Sequence, residues 1–486
     1  MTDKVAIRRM LTGVPGLDDL LGKGLPEYSF NVIAGEPGSG KTTLANQLMF
    51  SLANPQRRAL FFTVLGEPPL KMLRYQQQYS FFDAAKVNDS IRFINLNDDL
   101  MAGNYERMLK RIVEEVQNFE PALVMVDSFR SVVRTGRGAG MDELDLQHFV
   151  QQLGTLLTTW QVTAFLLGEY SNHEHDADPI FTVADGIVWL TQAMERNSMV
   201  RKIQIVKMRG QATAPGLHTM RINDDGVQVF PRTISPHPES LSSASGESDS
   251  VPKRLSMGVP LLDDLMGGGL PAGYSLLVSG PSGSGKSQLA AAFLVEGARL
   301  GEKGIIAAFE RSPARSQRTR LDKLIASGEV GVIDTRSLDP SIDETLYSLT
   351  EMIKRMGATR VVIDSISGFE VALAPNFRED FRESLHRMIA VLTGMGVTVL
   401  MVSELEDRYT DLRFSPAGTA FLTDAIIVQR YIELQGQLKR VMGVVKIRNS
   451  AHSHELRPYD ITGDGIVIGE PTPDMSALLT GHPRAI

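Results

Sequence analysis

The chain has 486 residues, of which 43% are hydrophobic and 22% charged, the balance of a folded globular protein and not of a disordered or fibrous one. Its length suits two domains of about 200 to 250 residues each, and a net charge of −7 argues against a surface built mainly to hold a nucleic-acid backbone. There are no cysteines, which excludes disulfides, thiolate metal sites and cysteine nucleophiles and makes a reducing cytoplasm the expected compartment.

Residues 1–13 show no apolar signal-peptide core, and apolar runs such as 59–65 and 397–402 are too short to span a bilayer. No membrane association is expected. From there the chain alternates short apolar strands with helical patterns. Residues 29–34 read as a strand, 42–52 as a helix, 59–65 as a strand, 105–119 as an amphipathic helix and 123–126 as a strand, followed by a helix at 148–159 and a strand at 162–167. The same succession returns at 275–279, 288–300, 304–309, 361–363, 381–393 and 397–402. Continuous apolar strands alternating with helices predict an α/β fold with a mostly parallel sheet covered on both faces.

The repetition is also literal. Gly13-Val-Pro-Gly-Leu-Asp-Asp-Leu-Leu-Gly-Lys-Gly-Leu-Pro26 recurs as Gly258-Val-Pro-Leu-Leu-Asp-Asp-Leu-Met-Gly-Gly-Gly-Leu-Pro271. Val126-Asp127-Ser128 returns as Ile363-Asp364-Ser365, and Lys207-Met208-Arg209 as Lys446-Ile447-Arg448. The organisation expected is a first domain at 1–230, a linker at 231–253, a second domain at 254–469 and a loose tail at 470–486. The linker is dominated by serine, proline and acidic residues, too poor in apolar groups to offset the entropy of ordering.

Each repeat carries the pattern G-x-x-x-x-G-K-[ST] between a predicted strand and a predicted helix. The first is Gly35-Glu36-Pro37-Gly38-Ser39-Gly40-Lys41-Thr42, followed by Thr43; the second is Gly280-Pro281-Ser282-Gly283-Ser284-Gly285-Lys286-Ser287, followed by Gln288. Glycines let successive backbone N–H groups converge on phosphate oxygens, and the helix N-terminus adds its dipole. Lys41 and Lys286 are expected on the β- and γ-phosphates of ATP, and the Thr42 and Ser287 hydroxyls on Mg²⁺. Asp127 and Asp364 end apolar strands, where a phosphate-loop enzyme places the acidic partner of the metal; the bland alternative is a strand-end cap.

The two loops, the shared entry segment, the aspartate strands and the Lys-x-Arg segments together resemble the KaiC family of RecA-like circadian clock ATPases, over nearly the whole chain and in the family's order. The resemblance implies two tandem RecA-like domains and a two-tiered hexameric ring with ATP between neighbouring subunits. It also implies a Glu-Glu pair after the second strand that supplies the catalytic base. The second repeat keeps the first glutamate, Glu310, with Arg311 after it. The first repeat reads Val64-Leu65-Gly66-Glu67-Pro68, keeping only Glu67. A positioned base contributes about 10²–10⁴-fold, so the second domain is expected to be the better hydrolase and the first slow or chiefly nucleotide-holding. In the family the Lys-x-Arg segment reaches the neighbour's γ-phosphate, which gives Lys207, Arg209, Lys446 and Arg448 that role; a solvated edge-strand face is the alternative.

The family also phosphorylates itself just before a Thr-Asp pair. Aligned on Thr423-Asp424, the acceptor positions here hold Ala420 and Phe421, which lack hydroxyls, with Thr419, Ser415 and Thr423 nearby. Hydrolysis without a phosphorylation cycle is the expectation, with residual serine/threonine autophosphorylation at one of these hydroxyls as the alternative. An unidentified signalling partner is implied. The competing readings are a DNA-dependent RecA- or DnaB-like ATPase, with a foothold in Arg130, Arg134 and Arg137, and a non-catalytic scaffold held together by ATP. Glu169 and Glu404 close strands beside the nucleotide and serve there either to position water or as surface carboxylates. The sequence His173-Glu174-His175-Asp176, like His452 and His454, reads as a solvated turn rather than a metal site, and the aromatic cluster at 75–82 as helix packing.

Overall fold

The structure, a computed structural model, describes residues 7–64, 69–101, 105–132, 143–171, 179–195, 198–232, 253–309, 320–334, 341–373, 375–378, 380–405, 422–434, 436–463 and 465–471, with two short pieces at 475–476 and 484–485. The chain divides into two compact units, Met1–Arg232 and Thr233–Ile486.

Among the described residues, the first unit is built on a nine-stranded sheet. In chain order its strands are β1 (Phe30–Gly35), β2 (Ala59–Thr63), β3 (Ile91–Asn95), β4 (Leu123–Asp127), β5 (Thr163–Glu169), β6 (Gly186–Glu195), β7 (Ser198–Met208), β8 (His218–Asn223) and β9 (Gly226–Phe230). Their spatial order is β9-β8-β7-β6-β1-β5-β4-β2-β3. From β3 to β6 the pairing is parallel; from β6 to β9 it is antiparallel. The second unit repeats this with β10 (Ser275–Gly280), β11 (Gly304–Ala308), β12 (Val330–Asp334), β13 (Arg360–Asp364), β14 (Thr398–Glu404), β15 (Ala425–Leu434), β16 (Gln437–Ile447), β17 (Arg457–Thr462) and β18 (Gly465–Ile468). Its order, β18-β17-β16-β15-β10-β14-β13-β11-β12, is the same strand for strand.

The central strands are apolar because both faces are covered. Along β1, Phe30, Val32 and Ala34 turn to one face and Ile33 to the other, as the period of two requires. The first face packs on the helices α2 (Tyr105–Phe119) and α3 (Glu143–Thr159), the second on α1 (Lys41–Leu52). In the second unit β10 lies the same way between α4 (Lys286–Arg299) and the pair α5 (Ile342–Met356) and α6 (Phe381–Gly394). Two tandem α/β units of this kind are the RecA-like architecture the sequence implied. Strands β6, β8 and β9 and their second-unit counterparts, in the antiparallel extension, carry no pattern that marks them in the sequence. The 75–82 cluster does pack on a helix: Phe81 and Phe82 stand 6.2 and 4.9 Å from the ring of Phe50 in α1. No described helix is long and apolar enough to cross a membrane.

Candidate functional site

Parallel strands deliver their C-terminal ends to one edge of the sheet, and the site of each unit forms there. In the first, Gly35 at the end of β1 is paired with Glu169 of β5 on one side and Leu190 of β6 on the other. The chain then turns through the glycine-rich loop into α1. Gly40 caps the helix at φ 104°, and a Cβ there would lie 2.6 Å from Cδ1 of Ile222. No side chain caps α1, so its first amides are left for an anion.

Lys41 is only 8% exposed, and its ammonium donates to the carbonyls of Gly35 (3.0 Å) and Glu36 (2.8 Å). Burial holds this ammonium below its ordinary range, against the pull of Glu169, Asp127 and Glu36. Thr42 Oγ1 donates to Asp127 Oδ2 at 2.7 Å. Lys41, Thr42, Asp127 and Glu169 line one cavity of about 510 Å³, together with Tyr79, Arg201 and others. That volume falls within the range of about 300–1,000 Å³ usual for small-molecule sites. A hydroxyl and a carboxylate already in contact, beside a buried cation and free helix-end amides, fit a nucleotide phosphate chain with a divalent ion. Among the described residues no three His, Cys, Asp or Glu side chains cluster. An ion here would therefore be shared between Thr42, Asp127, phosphate oxygens and water, the usual habit of Mg²⁺.

The second unit repeats the arrangement. Lys286, 9% exposed, donates to the carbonyls of Gly280 (2.8 Å) and Pro281 (2.7 Å). Gly285 caps α4 at φ 96°, its absent Cβ 2.6 Å from Cδ1 of Ile461. Asp364 ends β13 beside Ala308, as Asp127 ends β4 beside Thr63, and Ser287 is exposed at the start of α4. The Asp127–Ser128 and Asp364–Ser365 peptide bonds are both cis. Ser365 accepts from the Gly368 amide at 3.0 Å as a helix cap, and Ser128 lies 3.1 Å from the Ser131 hydroxyl.

The Lys-x-Arg segments sit elsewhere. Lys207 pairs with Ile187, which pairs with Val32, three residues before the loop begins. Both cations therefore lie toward the opposite end of the sheet from their own loop. Lys207 donates to the carbonyls of Phe181 (3.3 Å) and Thr182 (3.2 Å), and Arg209 to Asp185 (3.0 Å). The strand stops at Met208 with a bulge near Lys207, so the regular alternation expected of a single strand face does not extend to Arg209. In the second unit Lys446 pairs with Ile426 and Arg448 bonds Asp424 at 3.4 Å. Burial, then the adjacent arginine, holds the Lys207 and Lys446 ammoniums low. Asp185, and Asp424, which the sequence marked only as the end of a Thr-Asp pair, also accept from the amides of Phe30 and Ser275, tying each cation pair to the first residue of its loop strand.

Glu67 and Glu310 lie outside the described residues, as do Thr419, Ala420, Phe421, Ser415, Arg134, Arg137 and residues 173–176. Thr423 is fully buried. The rings of His452 and His454 meet edge to face, 4.7 Å apart. Arg201 and Tyr79 were also missed. Both come to the cavity from segments remote in sequence, and neither sits in a motif.

The sequence model of one family, described as the KaiC ATPase, matches residues 10–234 and again 255–473. The chain is 24% identical to the circadian clock oscillator protein KaiC of Picosynechococcus sp., over 99% of this chain and 93% of the relative. It is likewise 25% identical to the circadian clock protein KaiC3 of Synechocystis sp., over 98% and 95%.

Proposed function

The chain belongs to the KaiC family of ATPases, and we propose that it binds ATP in both repeats, hydrolyses it at the subunit interfaces of a hexameric ring, and passes nucleotide state to a protein partner. The observation that carries the reading is the Thr42–Asp127 contact beside the buried Lys41 in one cavity.

In this reading the loop amides and Lys41 or Lys286 take the phosphates, each lysine exchanging its two loop carbonyls for β- and γ-phosphate oxygens. Thr42 with Asp127, and Ser287 with Asp364, would hold Mg²⁺, which supplies charge neutralisation on the phosphates when bound. Glu310 draws the proton from the attacking water in the second repeat, and Lys446 and Arg448 of the adjacent subunit steady the charge that develops on the γ-phosphate. The first repeat has only Glu67, which stands four residues after Thr63 where Glu310 stands two after the equivalent Ala308, so it turns over slowly and serves mainly to hold nucleotide. Self-phosphorylation does not enter the reading: Ala420 and Phe421 have no hydroxyl to offer, and Thr423 is fully buried. The relatives are named for a circadian clock; for this chain the proposal is signalling without that phosphorylation cycle. The DNA reading loses its described foothold, because Arg130 is half-buried with its guanidinium 4.8 Å from the Tyr170 ring.

Equilibrium binding of ATP, with the mass of the assembly measured alongside, tests this. Two ATP per chain are expected, one in Lys41→Ala or Lys286→Ala, and none in the double variant, with the wild type assembling as a hexamer. A wild type that stays monomeric or binds no ATP overturns the proposal.

A further inference from the structure

The two loops share a motif but differ in what holds them from below. In the second unit Tyr459 of β17 is 3% exposed, and its hydroxyl donates to the main-chain carbonyl of Ser284. Ser284 is itself fully buried, and its hydroxyl donates to Oε1 of Gln429 in β15 at 3.0 Å. Gln429 too is fully buried. The residue two before Lys286 is thus fixed by both its backbone and its side chain.

Among the described residues, the first unit has neither contact. Ser39, at the place of Ser284, is fully buried with its hydroxyl unpartnered. The equivalence of the surrounding positions is read from the glycines. A Cβ on Gly35 would strike the carbonyl of Leu190 and one on Gly280 that of Gln429; Gly40 faces Ile222 and Met220 where Gly285 faces Ile461. Leu190 and Met220 therefore stand where Gln429 and Tyr459 stand, and neither side chain has a group to donate or accept comparably. The first loop is held instead near its tip by solvent-exposed contacts, Gln192 Nε2 to the Pro37 carbonyl at 2.8 Å and Arg201 Nε to the Gly38 carbonyl at 3.4 Å.

We infer that Tyr459 and Gln429 are positioning residues that pre-shape the second phosphate loop, so that the second repeat holds ATP more tightly than the first. A loop ordered before binding forfeits less freedom when the phosphates arrive, and buried hydrogen bonds hold it more firmly than exposed ones that compete with water. Burial raises the Tyr459 hydroxyl well above the ordinary tyrosine range, so it remains a donor at any working pH. The inference rests on the reading of both loops as ATP sites.

The test compares ATP dissociation constants in Lys41→Ala chains, which keep only the second site, with those in Lys286→Ala chains, which keep only the first. The second site is expected to be the tighter. Tyr459→Phe and Gln429→Leu are then added to the Lys41→Ala parent. Each is expected to weaken ATP binding about 2- to 12-fold, the worth of one neutral hydrogen bond, while turnover at saturating ATP stays put and the unfolding midpoint of the nucleotide-free chain falls only by what one buried hydrogen bond is worth. Tyr459→Phe removes a single oxygen, so a folded variant is secured. Unchanged affinity in both variants, or a lowered midpoint with affinity intact, overturns the inference, as does a tighter first site. A Lys41→Ala parent that binds no ATP overturns the underlying ATP reading instead, and is seen before any brace variant is made.

Discussion

Replacing Arg448 by alanine is predicted to silence a site in the next subunit and leave its own loop intact. The register places Lys446 beside Ile426, and Ile426 beside Leu277, three residues short of Gly280. At about 3.3 Å per residue and about 4.8 Å per strand spacing, the cation segment begins roughly 14 Å from its own loop, farther than a lysine or arginine side chain extends. In the proposed ring, the γ-phosphate these cations reach therefore belongs to a neighbouring chain. The substitution itself is mild for the fold: the Arg448–Asp424 pair is half exposed, and losing it costs about 0–1 kcal/mol. The effect on turnover is on the order of 10³–10⁵-fold for a cation of this kind. Mixing separates the two arrangements. In a one-to-one mixture of Lys286→Ala and Arg448→Ala chains under subunit exchange, a competent site needs a loop from the second and cations from the first. About one quarter of random adjacent pairs in a closed ring meet that condition. Hydrolysis in the mixture is therefore predicted to recover to about a quarter of the wild-type rate, as only the shared-site arrangement in a ring allows. A mixture no more active than the two variants assayed apart refutes the reasoning.

Two further predictions concern charge. Burial keeps the Lys41 ammonium below its ordinary value of 10.5, so between the folded value and 10.5 the unfolded chain binds more protons than the folded one. The nucleotide-free chain should gain stability from this residue as pH rises through that window. ATP affinity of the first site should fall over the same window as the cation is lost; an affinity in Lys286→Ala chains that is flat until above pH 10.5 contradicts this. Arg360, fully buried, donates to Glu302 (2.8 Å) and to the carbonyls of Ser256 and Phe293 (both 2.8 Å). Arg360→Ala leaves Glu302 with only the exposed Lys253 as partner and strips this donor from the two carbonyls, and is expected to destabilise the second unit by up to about 3–5 kcal/mol, read by urea unfolding; a loss under 1 kcal/mol would show the site relaxing freely.

Much of this was open to reading because a phosphate loop is a local device. Glycines, lysine and hydroxyl are consecutive, and the strand before them is continuously apolar since helices cover it on both sides. Asp127 and Asp364 were legible for the same reason, as single charges at the ends of apolar runs. The antiparallel extension was not. Strand β7 mixes Arg201, Lys202, Gln204 and Lys207 among apolar residues because one of its faces meets solvent, and its short partners β8 and β9 leave little periodicity to count. The Tyr459–Ser284 contact joins residues 175 positions apart, and Ser284–Gln429 joins residues 145 apart; nothing local announces either. Arg360 hid the start of β13, since a charged residue reads as a boundary until its buried partners are known.

The division of labour between the two repeats is tested most directly by steady-state ATP hydrolysis of the wild type, Glu310→Gln and Glu67→Gln at equal oligomer mass. The account predicts that Glu310→Gln removes most of the turnover, by about 10²–10⁴-fold at the second site, while Glu67→Gln changes the total little. Rings that form normally but hydrolyse no ATP, or a Glu310→Gln chain as active as the wild type, would contradict it.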